Sequence, residues 1–515
     1  MTCEIKKIDS NTVGLAYAEE SCLGILPGAS EDEGVWYPLD PNSYADFGAD
    51  YQMTARNPIN DSRQRRKGVI TGLEASGGFQ QDLTQNNLTR LMQGFFFADA
   101  HERPNNAPIN GVTAITSTVA DIEASGVINV AAGKGALFSV GDLIKLSGFV
   151  NEANNIPIAM VTTIAADELT IDVTTTVVES YTVGKLEVIG FDYDDLQVAY
   201  SGGVLTLTSA TGFADQGYQV GEWIFVGGDT AAQQFANNSP GYARIEAVGA
   251  NTLTLKEATW TPVTDTGTAK TVRIFSGVYI RNEKTTSLIK RRSYQIERTL
   301  GNDANGTQSE VLTGAVANEF TMSFDSADKI MCDLSFIAKD TDIRPGATGL
   351  KPGTRTAVLP NEDAFNTSND VYQMRLFVHG ATPTPVSLFA YVMSGKITIN
   401  NNASAQTAIG TLGAFEISVG DFEVSGSLEV YFASVAAVNA VKANEDVGFN
   451  AILATKNTGM VYDIPLLSLG GGRVSVEKDQ PIMLPLEKQA AENANGYTMS
   501  GTYFSYLPTV AMPTE

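Results

Sequence analysis

The chain has 515 residues, 43% of them hydrophobic and 18% charged, and its 34 basic against 58 acidic side chains give a formal charge of −24. A chain this long exceeds one ordinary core and calls for about three or four domains. The charge opposes tight binding to nucleic acid, which depends on neutralising phosphates with Lys and Arg. The 48 glycines, with abundant Val, Thr, Ala and Asn, predict a β-rich globular chain with many turns rather than a disordered one. Cys3, Cys22 and Cys332 are widely separated, lack CxxC spacing and leave one thiol over in any pairing scheme. No run approaches the roughly 20 apolar residues of a membrane-spanning helix, and MTCEIKKIDS lacks the apolar core of a signal peptide. The expectation is a protein kept in a cytoplasm, or in a particle assembled there, with no membrane partner.

In chain order, residues 1–108 begin with acidic and Gly/Pro-rich stretches, among them Glu31-Asp32-Glu33. A strand is predicted over Lys67–Phe79 and a helix over Asp82–Phe97. In the helix Leu83, Leu88, Leu91, Met92, Phe95 and Phe96 approximate helical spacing, and Thr84 stands at the N-cap. The polar link Glu102–Pro108 ends that element.

Residues 109–274 change to short β-runs and carry an internal repeat. Val140-Gly141-Asp142-Leu143-Ile144 matches Val220-Gly221-Glu222-Trp223-Ile224, Ala153-Asn154-Asn155-Ile156-Pro157 matches Ala236-Asn237-Asn238-Ser239-Pro240, and Leu169-Thr170-Ile171 matches Leu253-Thr254-Leu255. The repeat predicts two small β-domains, 109–190 and 191–274, inserted as a surface decoration where insertions are tolerated.

After residue 275 strands joined by polar turns return, and Pro345–Asp370 reads as a linker. The block that follows echoes the first: Asp421–Leu428 (DFEVSGSL) aligns with Gly72–Phe79 (GLEASGGF) at an offset of 349, and a short helical pattern over Phe432–Ala443, with Val435, Val438 and Val441, follows it. This order predicts that residues 1–108 and 275–350 form one unit and 351–515 a second.

Little in the sequence points to catalysis. The only histidines, His101 and His379, lie in different segments, and HExxH, GxxxxGK[ST], GxSxG and EF-hand patterns are missing. Gly470-Gly471-Gly472 reads as a flexible turn, and Glu31–Glu33 as a solvated loop rather than a cation site. The basic runs with Arg63, Arg65, Arg66 and Lys67, and with Lys290, Arg291 and Arg292, stand out in so acidic a chain. They suit phosphate binding, a solvated hairpin, or charge complementarity between subunits, of which the last fits a stacked assembly best. No cofactor is expected.

Four segments resemble the major tail tube proteins of long, flexible-tailed (siphovirus-like) bacteriophages: Gly14–Gly28, the EASGGF strand with its helix, Leu312–Phe324 and Gly420–Phe432. The resemblance covers roughly residues 1–105 and 275–510. It implies a mainly β fold of two tube-type β-sandwich or half-barrel units, each with a flanking helix, plus the two inserted small β-domains. It also implies a non-enzymatic subunit of the virion tail, assembled in the host cytoplasm into stacked rings around an acidic channel that conducts DNA during ejection. Family rings present six units, so two units per chain imply three chains with pseudo-sixfold symmetry, and one unit per chain would imply six. The implied partners are other copies of the chain, the tape measure protein, the tail terminator and distal tail proteins, and passing double-stranded DNA that is not tightly bound. The candidates for the lumen wall are Glu74, Asp82, Glu416, Asp421, Glu423 and Glu429, of which strand alternation puts about half on one face. The loops over Gly28–Gly48 and Pro345–Asp370 are the candidates for reaching the next ring. Two other classes compete. A carbohydrate- or receptor-binding adhesin is suggested by the tandem β-domains with Trp223 and Trp260, and a cell-wall hydrolase would need a carboxylate pair that the sequence does not single out.

Overall fold

A computed structural model describes residues 13–513 apart from 29–32, 60, 62–63, 65, 104–106, 109–118, 181–184, 357–362, 381, 390, 433–434, 472, 477 and 479–480. The fold is mainly β. One sheet system takes its strands from residues 15–108 and 278–504, and a second from residues 119–275.

In the first system two long strands bend from one layer into another. The front part of Gly306–Asp325 pairs with Tyr294–Asp303 and Asp340–Arg344. Its rear part pairs with Met331–Ala338 and Val392–Asn400. Between the layers lies an apolar core that includes Phe79, Phe95, Tyr294, Phe320 and Phe336, with Phe336 ringed by Phe79, Phe95 and Tyr294 at centroid distances of 5.4 to 6.4 Å. The predicted helix is present as α1, Gln85–Phe96, and buries Leu88, Leu91, Met92, Phe95 and Phe96. Thr84 takes the N-cap position in extended backbone, but its side chain makes no capping hydrogen bond. Phe97, in the left-handed region, closes the helix.

The same succession of pairings occurs twice. Leu15–Glu19 pairs with Tyr294–Asp303 as Val371–Val378 pairs with Val447–Thr455. The hairpin Pro41–Arg56/Arg66–Asp82 recurs as Val392–Asn400/Glu423–Tyr431. Arg66–Asp82 meets Met331–Ala338 as Glu423–Tyr431 meets Met483–Ala490. Finally, Gly306–Asp325 with Met331–Ala338 and Asp340–Arg344 recurs as Thr458–Gly471 with Met483–Ala490 and Ser500–Phe504. The offset of 349 is written into the inner strand of each ladder, since it carries Gln81 of the bulged pair Pro41–Gln81 onto Val430 of the bulged pair Val392–Val430. The second helix, α2, is shorter than its pattern suggests, Ala436–Ala443, because Val435 stands at its cap.

Three local readings are corrected. Gly470 and Gly471 are the last residues of strand Thr458–Gly471, opposite Glu487 and Leu486, and not a free turn. Pro345–Asp370 is no loose linker: Gly353–Arg355 pairs in parallel with Gly34–Trp36, and Phe365 is buried in the core. The stretch 28–48 is mostly strand, Gly34–Leu39 and the start of Pro41–Arg56. In all three, long-range pairing overrides local turn composition.

The inserted residues form two copies of one strand order. Val119–Ile122, Val127–Val130, Glu168–Ile171, Ala159–Ile164, Asp142–Ser147 and Lys185–Tyr193 are neighbours in that order; Gln197–Ser201, Val204–Thr208, Thr252–Lys256, Gly241–Val248, Trp223–Val226 and Val272–Phe275 repeat it. Each copy has its own apolar cluster. Lys185–Tyr193 runs through the 190/191 boundary and pairs with Val272–Phe275, so the two copies share a continuous sheet. The sequence repeats acquire physical roles. Gly141 and Gly221 have φ of 99° and 92°, where a Cβ would be strained. Just after each, Asp142 and Glu222 accept the backbone N–H of Ser139 and Gln219 at 2.7 and 3.1 Å. Asn154 bonds both the N–H and the C=O of Val177, as Asn238 does for Val263, all at 2.7 to 2.9 Å. Asn154 therefore corresponds to Asn238, one residue from the alignment the sequence suggested.

Candidate functional site

Joined end to end, the two halves make one sheet in the order Pro41–Arg56, Arg66–Asp82, Met331–Ala338, Gly306–Asp325, Val392–Asn400, Glu423–Tyr431, Met483–Ala490 and Thr458–Gly471. Alternation gives it two chemically opposite faces. Leu73, Phe79, Leu334, Phe320, Met322, Ile397, Ile399, Val424, Leu428 and Leu486 point into the core. The opposite face turns to solvent.

That solvent face is acidic. Of the six sequence candidates, Glu74, Asp82, Glu423 and Glu429 stand on it, each at an alternate position from a buried neighbour. Asp421 precedes its strand in a loop, and Glu416 sits on the separate hairpin Ser404–Gln406/Glu416–Ser418. The register adds carboxylates that the sequence does not single out: Asp50 opposite Glu74, Asp333 opposite Gln80, Glu319 opposite Ser335, Asp325 opposite Ser394 and Glu487 opposite Ser427. The run EFTMSFD carries the signal, since buried Phe320, Met322 and Phe324 force Glu319, Thr321, Ser323 and Asp325 to the other side. Between the carboxylates lie small neutral side chains, with Thr321 and Thr398 3.1 Å apart across the joint of the halves. Lys396 is the one lysine or arginine among the strand residues named on this face, and Lys329 in an adjoining turn pairs with Asp82 at 2.7 Å. Gln52 and Gln80 donate to Glu74 and Asp333 at 2.5 and 3.0 Å and fix those carboxylates upright. Among the described residues no group of three His, Cys, Asp or Glu side chains converges to hold a metal ion. A wall of negative and small neutral groups repels phosphate.

The basic candidates separate. Arg63 and Arg65 lie outside the described residues. Arg66 and Lys67 are exposed near the tip of a long hairpin that also exposes Tyr51, Met53, Val69 and Ile70. Lys290 is exposed. Arg291 donates to the Ile417 carbonyl at 2.5 Å, and Arg292 is engaged by Glu19 and Asp99 at 3.0 and 2.5 Å. Both guanidinium groups are thus committed within the chain. Trp223 and Trp260 are core residues, at most 6% exposed, which removes the aromatic platform an adhesin would need.

The inserted sheet does not stand clear of the rest. Leu143, Ile189, Trp223, Phe225, Tyr242 and Phe275 pack on Ile452, Val461, Phe504, Tyr506 and Leu507 of the second half. Its stem is stitched there too, since Val278–Arg281 pairs with Ser500–Phe504. Inside this interface Arg244 bridges Glu257 and Asp463, both at 3.1 Å. Burial pushes the Glu257 carboxyl up to about 7 and raises Asp463 as well. Arg375 donates to the Glu257 carbonyl at 2.8 Å. A parallel lock holds the stem: Arg103 pairs with Glu222 at 2.5 Å beneath the Tyr218 ring.

A two-layer β fold with one acidic sheet face suits a structural subunit. Residues 10–490 match the family model described as phage tail tube protein, and the chain belongs to that family. It is a structural subunit of a phage tail tube and takes its place in the virion tail. No curated protein shows significant similarity to it. No helix among the described residues is long and apolar enough to cross a membrane.

Proposed function

We propose that three copies of this chain close into a ring of six β units, that rings stack into the tube, and that the acidic sheet face lines the channel through which viral DNA passes during ejection. The observation that carries this reading is the internal joint. The two halves follow one another head to tail in a single sheet, so among the described residues Pro41–Arg56 at one end and the Ser468–Gly471 part of the last strand at the other are left with one partner strand each. Unsatisfied edges of this kind invite another strand, and a head-to-tail contact closes only as a ring. With the core on one side of the sheet, the acidic side is the one left to face the lumen.

On this reading the candidate lining is Glu74, Asp82, Glu423 and Glu429 from the original set together with Asp50, Glu319, Asp325, Asp333 and Glu487. Repulsion from such a wall acts over about 10 Å at 0.1 M salt, enough to keep a sliding duplex off the surface. The exposed hairpin tip, with Arg66, Lys67 and its apolar side chains, is suited to contacting a neighbouring ring, and the inserted sheet decorates the outside. Tape measure and terminator proteins are the expected partners inside and at the ends. Electron cryomicroscopy of the self-assembled protein tests the reading: tubes with three chains per ring and pseudo-sixfold symmetry are expected, six chains per ring would overturn the stoichiometry, and discrete monomers would overturn the assembly.

A further inference from the structure

The joint between the two halves also specifies how one chain meets the next, residue by residue; this step rests on the ring reading above. At the internal joint, Glu319 stands opposite Asn400 and Ser323 opposite Lys396. Each of these has a counterpart on a free edge. Asn400 and Asp50 face Glu423 and Glu74, which the offset of 349 equates; Lys396 and Ala45 face Ser427 and Gly78, equated in the same way. On the other strand, Glu319 and Gly470 face Ser335 and Glu487, and Ser323 and Ser475 face Met331 and Met483. Side-chain direction supports the last equivalence, because Val474 packs against the core where Met322 does.

We propose that in the assembled ring the edge of one copy pairs antiparallel with the edge of the next so that Gly470 lies opposite Asp50 and Ser475 lies opposite Ala45. The two edges agree on this register independently. Each has one residue more than the internal joint between its matched positions: Pro41–Arg56 bulges between Ala45 and Gly48, and the other edge gains its extra residue between Gly471 and Ser475. The bulges fall opposite each other and cancel, so the ladder stays continuous across them. Residues 473–476, held in the single chain by the bridge Ser475–Met483 and the packing of Val474, extend the last strand when the neighbour arrives. Gly48, Ala49, Gly470 and Gly471 put small residues along the seam, where two backbones must come close.

Disulfide trapping tests the register. In a background with Cys3→Ser and Cys22→Ser, tubes carrying Ala45→Cys with Ser475→Cys are oxidised gently and run on a non-reducing gel, beside a control carrying Ser43→Cys with Ser475→Cys. Directly opposed residues of an antiparallel pair lie within disulfide range, whereas the control is displaced by about 7 Å along the strand. Covalent oligomers are expected from the first pair and not from the control, and a second pair, Asp50→Cys with Gly470→Cys, is expected to link as well. Intact tubes that link only in the control, or in none of the three variants, overturn the register and leave the ring reading standing. Failure of the unsubstituted protein to form rings overturns the ring reading itself.

Discussion

Lys488 occupies in the second half the position of Phe336 in the first: the former lies opposite Gly426 and the latter opposite Gly77, its equivalent at the offset of 349. Its ammonium lies 3.9 Å from the centre of the Phe449 ring and has no hydrogen-bond partner among the described residues. Burial pulls its pKa from 10.5 down to about 7. The folded chain therefore releases this proton before the unfolded chain does, and stability rises with pH between about 7 and 10.5 while the full cost of the buried charge persists below that window. Lys488→Met is expected to raise the urea midpoint at pH 7 and to flatten its pH dependence up to pH 10, as read by intrinsic fluorescence; an unchanged profile would mean that the amine reaches water. Arg244 represents the opposite case. Arg244→Ala strands the carboxylates of Glu257 and Asp463 inside the interface and is expected to cost about 3–5 kcal/mol in equilibrium unfolding. Glu257, raised to about 7, holds its proton in the folded state up to a higher pH than in the unfolded chain and is a carboxylate above it, so its contribution is present at low pH and is lost as pH climbs from about 4.5 to 7.

Among the elements, the inserted pair shows how a surface addition becomes part of the body. In the second half α2 leads through residues 444–446 directly to Val447–Thr455. In the first half the equivalent junction, between α1 and Tyr294–Asp303, holds the whole insertion. A short link is therefore sterically adequate. Replacing residues 99–291 by such a link is expected to leave both halves folded but to uncover Ile452, Val461, Phe504 and Tyr506. Gel filtration should then show aggregation, relieved when Val461 and Tyr506 are changed to Thr and Ser; a monodisperse truncated chain without those changes would show that the apolar seal is dispensable. Within each inserted copy the Asn154–Val177 and Asn238–Val263 pairs replace strand hydrogen bonds with side-chain ones. Asn154→Ala and Asn238→Ala are each expected to lose roughly 1–3 kcal/mol, confined to their own copy because the apolar clusters are separate. Hydrogen exchange resolved by segment checks that confinement.

For the whole molecule, net charge and sheet geometry combine. A formal charge of −24 would be unremarkable as a solubility device if it were spread evenly, yet nine of the carboxylates stand on one sheet face with Lys396 among them. Changing Glu74, Glu423 and Glu429 to Lys should leave tube assembly intact, because all three are off the core, while slowing DNA ejection in a salt-dependent manner. Ejection at the original rate from tubes of normal appearance would remove those residues from the channel wall.

Much of this organisation is legible in the residues alone. The offset of 349, the doubled VGD/VGE and Asn-Asn elements and the spacing of Leu88, Met92 and Phe95 are local patterns, and local patterns survive into structure wherever packing has no reason to override them. The acidic face was half legible: alternation exposes Glu74 and Glu423, but Asp333 and Glu487 join them only through cross-strand register, which no single segment contains. Tertiary structure alone decided that Gly470–Gly471 is an edge strand, that 345–370 is pinned by Gly353–Arg355 and Phe365, and that Arg291 and Arg292 are spent inside the chain. In each case the deciding partner lies outside the local segment, from 15 residues away for Gly471 and Leu486 to 319 for Gly34 and Gly353, where composition and periodicity carry no information. The sequence by itself determined a duplicated β chain bearing a second duplication within it; only the fold determined that the halves share one sheet and that the insertion is sealed against the second of them.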